Sequence, residues 1–218
     1  MRVLVACEFS GIVRDAFIAC GHDAVSCDLL PSERPGRHYC GDVRDVLDDG
    51  WDLLIAHPPC VYLSSSGLHW NSRGVTVGGR DRWELTEEAI EFARLFMEGA
   101  SRILYRAVEN PIGILSTRVR KPDQIIQPWQ FGEDASKATC LWLHGLPLLR
   151  PTVFCEPRLV LHRGKWVKRW GNQMDAGQCK LGESKGRSAV RSRTFAGVAE
   201  AMAAQWGSYV SERVHALV

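Results

Sequence analysis

The sequence predicts an α/β protein built on a mostly parallel, doubly wound sheet of about six to seven strands. Three observations carry that expectation. Short apolar runs such as Val3–Ala6 and Asp52–Ala56 are continuous rather than alternating, as strands covered on both faces must be. Segments of helical period separate them. Nearly every run ends in turn chemistry that carries a carboxylate, and the clearest case is Ala56-His-Pro-Pro-Cys60 with Glu109-Asn-Pro111 further on.

Taken in order, Arg2 to Ala6 is a buried strand, followed by a turn at Glu8–Gly11. Ile12 to Cys20 is a helix with Ile12, Ala16, Phe17 and Cys20 on one face, and Gly21 ends it. Ala24 to Cys27 is the second strand, closing on Asp28. Tyr39-Cys40 ends a third, and Gly41-Asp42-Val43 opens a short helical turn to Leu47. Asp52 to Ala56 is the fourth strand. Pro58 and Pro59 cannot continue it, because proline lacks the ladder donor, and two fixed φ angles send the chain out of the sheet in a defined direction. A polar loop with glycines at 67, 74, 78 and 79 then runs to about Arg82, where it could serve as a lid. Trp83 to about Ser101 is the strongest helix, with Leu85, Ala89, Ile90, Phe92, Ala93, Phe96 and Met97 in an apolar stripe. Ile103 to Val108 is the fifth strand. Lys137–Leu143 is expected to be the sixth, Pro147–Phe154 the seventh, and Ser192–Trp206 a closing helix.

A chain of 218 residues is one ordinary domain, 1–218, with a near-neutral formal charge of +2. The balance excludes global attraction to polyanions. No apolar run approaches membrane-spanning length, and Met1–Ala6 is too short for the apolar stretch of a secretory leader. The eight cysteines include no Cys-x-x-Cys pair, so no metal site is expected, and Cys7, Cys20, Cys27 and Cys40, in or beside apolar segments, are most simply reduced core thiols of a cytoplasmic protein. Residues 156–193 break this balance: ten Lys and Arg stand against Glu156, Asp175 and Glu183, interleaved with Trp166 and Trp170. Such a basic insertion is ordinarily a solvated loop; its length and charge point instead to contact with a phosphate backbone.

In an open parallel sheet, ligands bind outside the carboxyl ends of the strands. Those ends collect Phe9, Ser10 and Gly11, then Asp28, Asp42, Pro58-Pro59-Cys60, and Glu109-Asn110. A tight first turn, an acid for ribose hydroxyls and an acceptor for an adenine amine make a nucleoside site. The Gly-x-Gly-x-x-Gly cradle for a pyrophosphate is absent, which argues against NAD. A buried packing thiol would not need Pro-Pro before it and a Ser/Gly-rich loop after it. Cys60 is therefore a candidate nucleophile.

These motifs resemble the cytosine-5 DNA methyltransferases. Pro59-Cys60 with Ser64 resembles the family's Pro-Cys-Gln-x-Phe-Ser signature, Val61 and Leu63 replacing the glutamine and phenylalanine. Phe9-Ser10-Gly11 is similar to its Phe-x-Gly-x-Gly-Gly opening, with Val13-Arg14 in place of two glycines. Asp28, Gly41-Asp42-Val43, Glu109-Asn110-Pro111, Arg118-Val119-Arg120 and Ser192–Gly197 follow in the family's order. The resemblance implies a Rossmann-like class I methyltransferase fold and S-adenosyl-L-methionine as cofactor, held by Phe9, Ser10, Gly11, Asp28, Asp42 and Pro58. It implies catalysis by Cys60, which adds to carbon 6 of a flipped-out cytosine, by Glu109 as the acid at its N3, and by Asn110, Arg118 and Arg120. DNA, double- or single-stranded, is the implied partner, with no membrane and no obligate protein partner. Residues 156–193 stand where the family carries a much longer target-recognition region. Three other readings stay open: the same chemistry on a free pyrimidine nucleotide or RNA, a catalytically inactive nucleic-acid-binding relative, and an unrelated Rossmann protein with coincident residues.

Overall fold

The protein is described here from a computed structural model covering residues 1–182 and 187–216, so Glu183 and Lys185 of the basic segment lie outside the described residues. Seven strands form the central sheet: β1 (Arg2–Ala6), β2 (Asp23–Asp28), β3 (His38–Cys40), β4 (Leu53–Ala56), β7 (Tyr105–Pro111), β8 (Gln124–Ile126) and β9 (Thr139–His144). A short hairpin, β5 (Thr76–Val77) with β6 (Arg80–Asp81), precedes β7 in the chain, and a longer one follows β9, formed by β10 (Arg158–His162) and β11 (Lys165–Arg169). The order across the sheet is β3-β2-β1-β4-β7-β9-β8. The first five strands in that order run parallel, and β9 is antiparallel to both neighbours.

The continuous apolar runs have the expected cause. On β1, Val3 and Val5 face a core shared with helices α1 (Ile12–Ala19) and α6 (Ala196–His215), where Phe17, Met202 and Trp206 are fully buried. Leu4 and Ala6 face the opposite core, built on α3 (Arg82–Arg94) with Ile90 and Phe96. Strand side chains alternate between faces, so covering both faces demands apolar residues at every position. α1 ends where Gly21 turns left-handed at φ 82°. α3 starts on Asp81, whose carboxylate accepts the Trp83 N–H at 3.1 Å, and it runs into a widened π turn over Leu95–Gly99. The buried guanidinium of Arg106 closes that end by donating to the carbonyls of Met97, Ala100 and Ile103.

The sequence misplaces four features. Pro147–Phe154 is not a strand: prolines at 147 and 151 withhold donors, and only Val153 makes an isolated bridge, to Phe131. The edge position goes instead to β8, a three-residue strand too short to show a period. The closing helix starts later, at Ala196, and extends to His215, preceded by a short helix α5 (Arg187–Ser192). Finally, the expected core thiols divide: Cys27 is buried, whereas Cys20 and Cys40 are exposed.

Candidate active site

Five parallel strands deliver their carboxyl ends to one edge, and β9, running the other way, brings its amino end there. That edge opens into a cavity of about 1110 Å³. Cys7–Ser10 after β1, Asp28 and Leu30 after β2, His57 and Pro59–Val61 after β4, Pro111 at the end of β7, Lys137 before β9 and Arg191–Thr194 before α6 all line it. Cys7 holds a left-handed φ of 58°, a strained conformation for a residue with a side chain, and such strain concentrates at functional sites.

The β1–α1 turn is built around Glu8. Its buried carboxylate accepts the Val13 N–H at 2.7 Å, the Arg14 N–H at 3.2 Å and the Ser10 hydroxyl at 3.1 Å. The amino end of α1 is thus already occupied by an anion. A phosphate would have to displace it, so this turn suits a nucleoside without phosphate there. Arg14, where the resembled family has glycine, is fully buried and stitches α1 to β2 through Ser26 and to the segment after β2 through Ser32 and the Pro35 carbonyl. Phe9, Ser10 and Asp28 line the cavity, and Asp28 also accepts the Leu30 N–H at 2.9 Å. Gly11 starts α1 at φ 72°. Asp42 and Pro58 are not brought to the cavity. Asp42 caps the turn Val43–Asp45 and pairs with Arg44 at 3.0 Å, and the Pro58 carbonyl accepts the Asn110 side-chain amide at 2.7 Å.

Cys60 is half-buried on the elbow that Pro58 and Pro59 make. Burial pushes its thiol above the ordinary cysteine value, Lys137 opposes that push, and Glu109 adds to it. Lys137, and more weakly Arg191, are the cations that favour its ionised form. Lys137→Met is expected to slow iodoacetamide alkylation of Cys60 severalfold at fixed mildly alkaline pH, followed by peptide mass spectrometry to separate Cys60 from the other thiols. An unchanged rate would show that Lys137 does not act on the sulfur.

Behind this thiol lies a buried pair that the sequence did not reveal. The Nδ1 of His57 and Oε2 of Glu109 are 2.8 Å apart, with both side chains about nine-tenths buried. The Thr194 hydroxyl donates to the same oxygen at 3.4 Å. Burial alone would raise the Glu109 carboxyl, but the His57 hydrogen bond and the charge of Lys137 bring it down to about 2. Burial likewise pushes His57 down, and the Glu109 contact overcomes it, leaving the imidazole raised. The two shifts agree in direction: the contact favours the charged form of each group. Glu109, expected to act as an acid, is ionised, and it does not line the large cavity. It borders a separate void of about 10 Å³, and Lys137 and Thr194 line both cavities. Parity explains the placement: Ile55 and Ala107 face the α6 side, so His57 and Glu109, two residues further on neighbouring strands, face it too.

Arg118 and Arg120 are not brought to the site. Arg118 pairs with Glu87 at 2.7 Å and Arg120 with Asp123 at 2.8 Å, both away from the cavity lining. The expected lid is also more ordered than a free loop. It holds α2 (Ser65–Leu68), a turn over Asn71–Arg73 and the β5–β6 hairpin. It is pinned by Asn71, which donates to Thr86 at 2.9 Å, and by Arg82, which donates to the Val61 carbonyl at 2.9 Å. Trp70 from this segment lines the cavity.

No protein-family model matches the chain, and no curated protein matches it. Among solved structures, an Entamoeba histolytica methyltransferase is similar with a TM-score of 0.45 and 10% identity, over 72% of this chain and 58% of that one. A likeness of that degree bears on neither chemistry nor substrate.

Proposed function

We propose that this chain is an S-adenosylmethionine-dependent methyltransferase acting on carbon 5 of cytosine in DNA. The observation that carries the reading is the placement of Cys60, on a proline elbow, in one cavity with the phosphate-free nucleoside turn at Phe9–Ser10 and Asp28. The residues at that turn fit an adenosyl group: Phe9 and Leu30 offer apolar contact, Asp28 a carboxylate for ribose hydroxyls, and the Glu8-capped helix no phosphate site. The bound cofactor supplies an electrophilic methyl group on a sulfonium.

The protein's own part is addition and elimination. Cys60 loses its proton to water in the open cavity, and Lys137 favours the thiolate. Sulfur bonds to carbon 6, the carbon 5–carbon 6 π pair moves toward N3, and N3 takes a proton held by the His57–Glu109 pair. Carbon 5 would then take the methyl group that the cofactor would supply, the methyl–sulfonium bond breaking with its electron pair left on that sulfur. Its proton leaves to water, the carbon 6–sulfur bond breaks, and N3 returns its proton to the pair. Extruding the base from a duplex costs a few kcal/mol. The basic segment 156–193 supports a polyanionic substrate over a mononucleotide.

Oligonucleotides carrying 5-fluorocytosine test the reading, because carbon 5 of that base cannot release its substituent as a proton. With cofactor present, the wild-type protein is expected to form a denaturant-stable adduct and Cys60→Ser none. Methyl transfer by Cys60→Ser at the wild-type rate, or methyl recovered on the exocyclic amine, would overturn it.

A further inference from the structure

We infer that His57, rather than Glu109, is the group that meets N3 of the pyrimidine, donating through Nε2, and that Glu109 is a positioning residue behind it. The inference rests on the cytosine-5 reading above and refines it. His57 lines the large cavity and Glu109 does not. With Nδ1 on the Glu109 carboxylate, the other ring nitrogen points away from that pair. His57 Nε2 is buried, in a side chain only 9% exposed, and has no hydrogen-bond partner among the described residues. An unsatisfied buried nitrogen is costly unless a ligand or an ordered water completes it.

The chemistry assigns the roles. An ionised carboxylate accepts hydrogen bonds and cannot donate one to N3, whereas an imidazolium donates from both nitrogens. The groups that set its charge are Glu109 from β7 and Glu8 after β1, which favour the protonated ring, and Lys137 before β9, which opposes it. As Cys60 Sγ bonds to carbon 6, the displaced electron pair reaches N3, which takes the Nε2 proton. The ring becomes neutral and keeps Nδ1–H on Glu109. On elimination the proton returns to Nε2. His57 stands directly before Pro58-Pro59-Cys60, so one elbow fixes acid and nucleophile together.

The rate of 5-fluorocytosine adduct formation against pH tests this. The wild-type rate should pass through a maximum, because it needs a thiolate and a protonated imidazole at once. His57→Gln should be slower by at least ~100-fold at that maximum and should only rise with pH, while DNA affinity is unchanged. Glu109→Gln should keep a maximum but move it to lower pH, since the imidazole loses the carboxylate that raises it. In case the His57 variant folds poorly, the 15N signal of wild-type His57 Nε2 should shift on binding the fluorinated oligonucleotide. A His57→Gln profile that keeps the wild-type maximum, or an unmoved Nε2 signal in the adduct, overturns the inference alone. Absence of any wild-type adduct overturns the cytosine-5 reading and this inference with it.

Discussion

Gly113→Ala is expected to lower the rate of adduct formation by on the order of 100-fold and stability by about 1–3 kcal/mol. A Cβ at this position would lie 1.9 Å from the Leu63 carbonyl oxygen and 2.8 Å from its carbon, both backbone atoms with no rotamer to yield. The contact is tight because two segments are stitched there. Ile114 N–H donates to Leu63 O at 2.9 Å, Ser65 N–H to Ile112 O at 3.0 Å, and Ser64 bridges Gly113. The same turn is anchored on the nucleophile: Leu63 N–H and Ser64 N–H both donate to the Cys60 carbonyl, at 3.1 and 3.0 Å. Any relief of the clash therefore shifts the Cys60 turn against the sheet. Displacement of a reacting atom by about 1 Å can alone cost that factor in rate. Thermal melting and adduct kinetics measured on one preparation separate the two effects. A variant that melts lower but reacts normally would show that Cys60 is not fixed through this contact.

Where a residue's role follows from its own strand, the sequence was readable. Val3–Ala6 and Leu53–Ala56 announce doubly covered strands, and the carboxyl-edge rule places Phe9, Asp28 and Cys60 around one opening, as they are. The legibility ends where a role depends on a neighbour distant in sequence. Arg118-Val119-Arg120 matches a motif in form, yet Glu87 and Asp123 hold both guanidiniums elsewhere, and nothing local to the motif reveals those partners. Lys137 reaches the site only because β9 is antiparallel, a fact of sheet order. His57 did carry a signal. It is the one titratable side chain continuing the Leu53, Ile55 face of β4, and Glu109 continues the Ala107 face of β7 in the same way. Two buried strands ending in complementary polar groups on one face make a pair foreseeable. The β10–β11 ribbon went unseen for the opposite reason: both its faces are partly exposed, so its residues need not alternate cleanly.

Replacing Arg163, Lys165 and Lys168 together with glutamine is expected to weaken DNA binding by on the order of tenfold to a hundredfold near physiological salt, and to reduce the salt slope by about 3. These three are singled out because the other cations of the ribbon are committed. Arg158 pairs with Asp175 at 2.5 Å and donates to the Gln173 carbonyl, and Arg169 donates to the Asp175 carbonyl at 3.0 Å, which ties the base of the ribbon to the body. Arg163, at the turn, and Lys165 and Lys168 have no ion pair among the described residues. Leu161 stands opposite Trp166 and Leu159 opposite Lys168, so Leu159, Leu161 and Trp166 share one face, at 62, 60 and 69% exposure. That much apolar surface on a two-stranded arm has no core to join, and an indole exposed on it can stack on an unpaired base. Trp166→Ala should cost a further ~1–3 kcal/mol if the indole stacks on a base, with little change in salt slope because no charge is removed. Titrations by fluorescence anisotropy at several salt concentrations measure both quantities. An unchanged slope in the triple variant would remove the ribbon from the interface, while a full loss of binding in Trp166→Ala alone would place the affinity in stacking rather than in phosphate contacts.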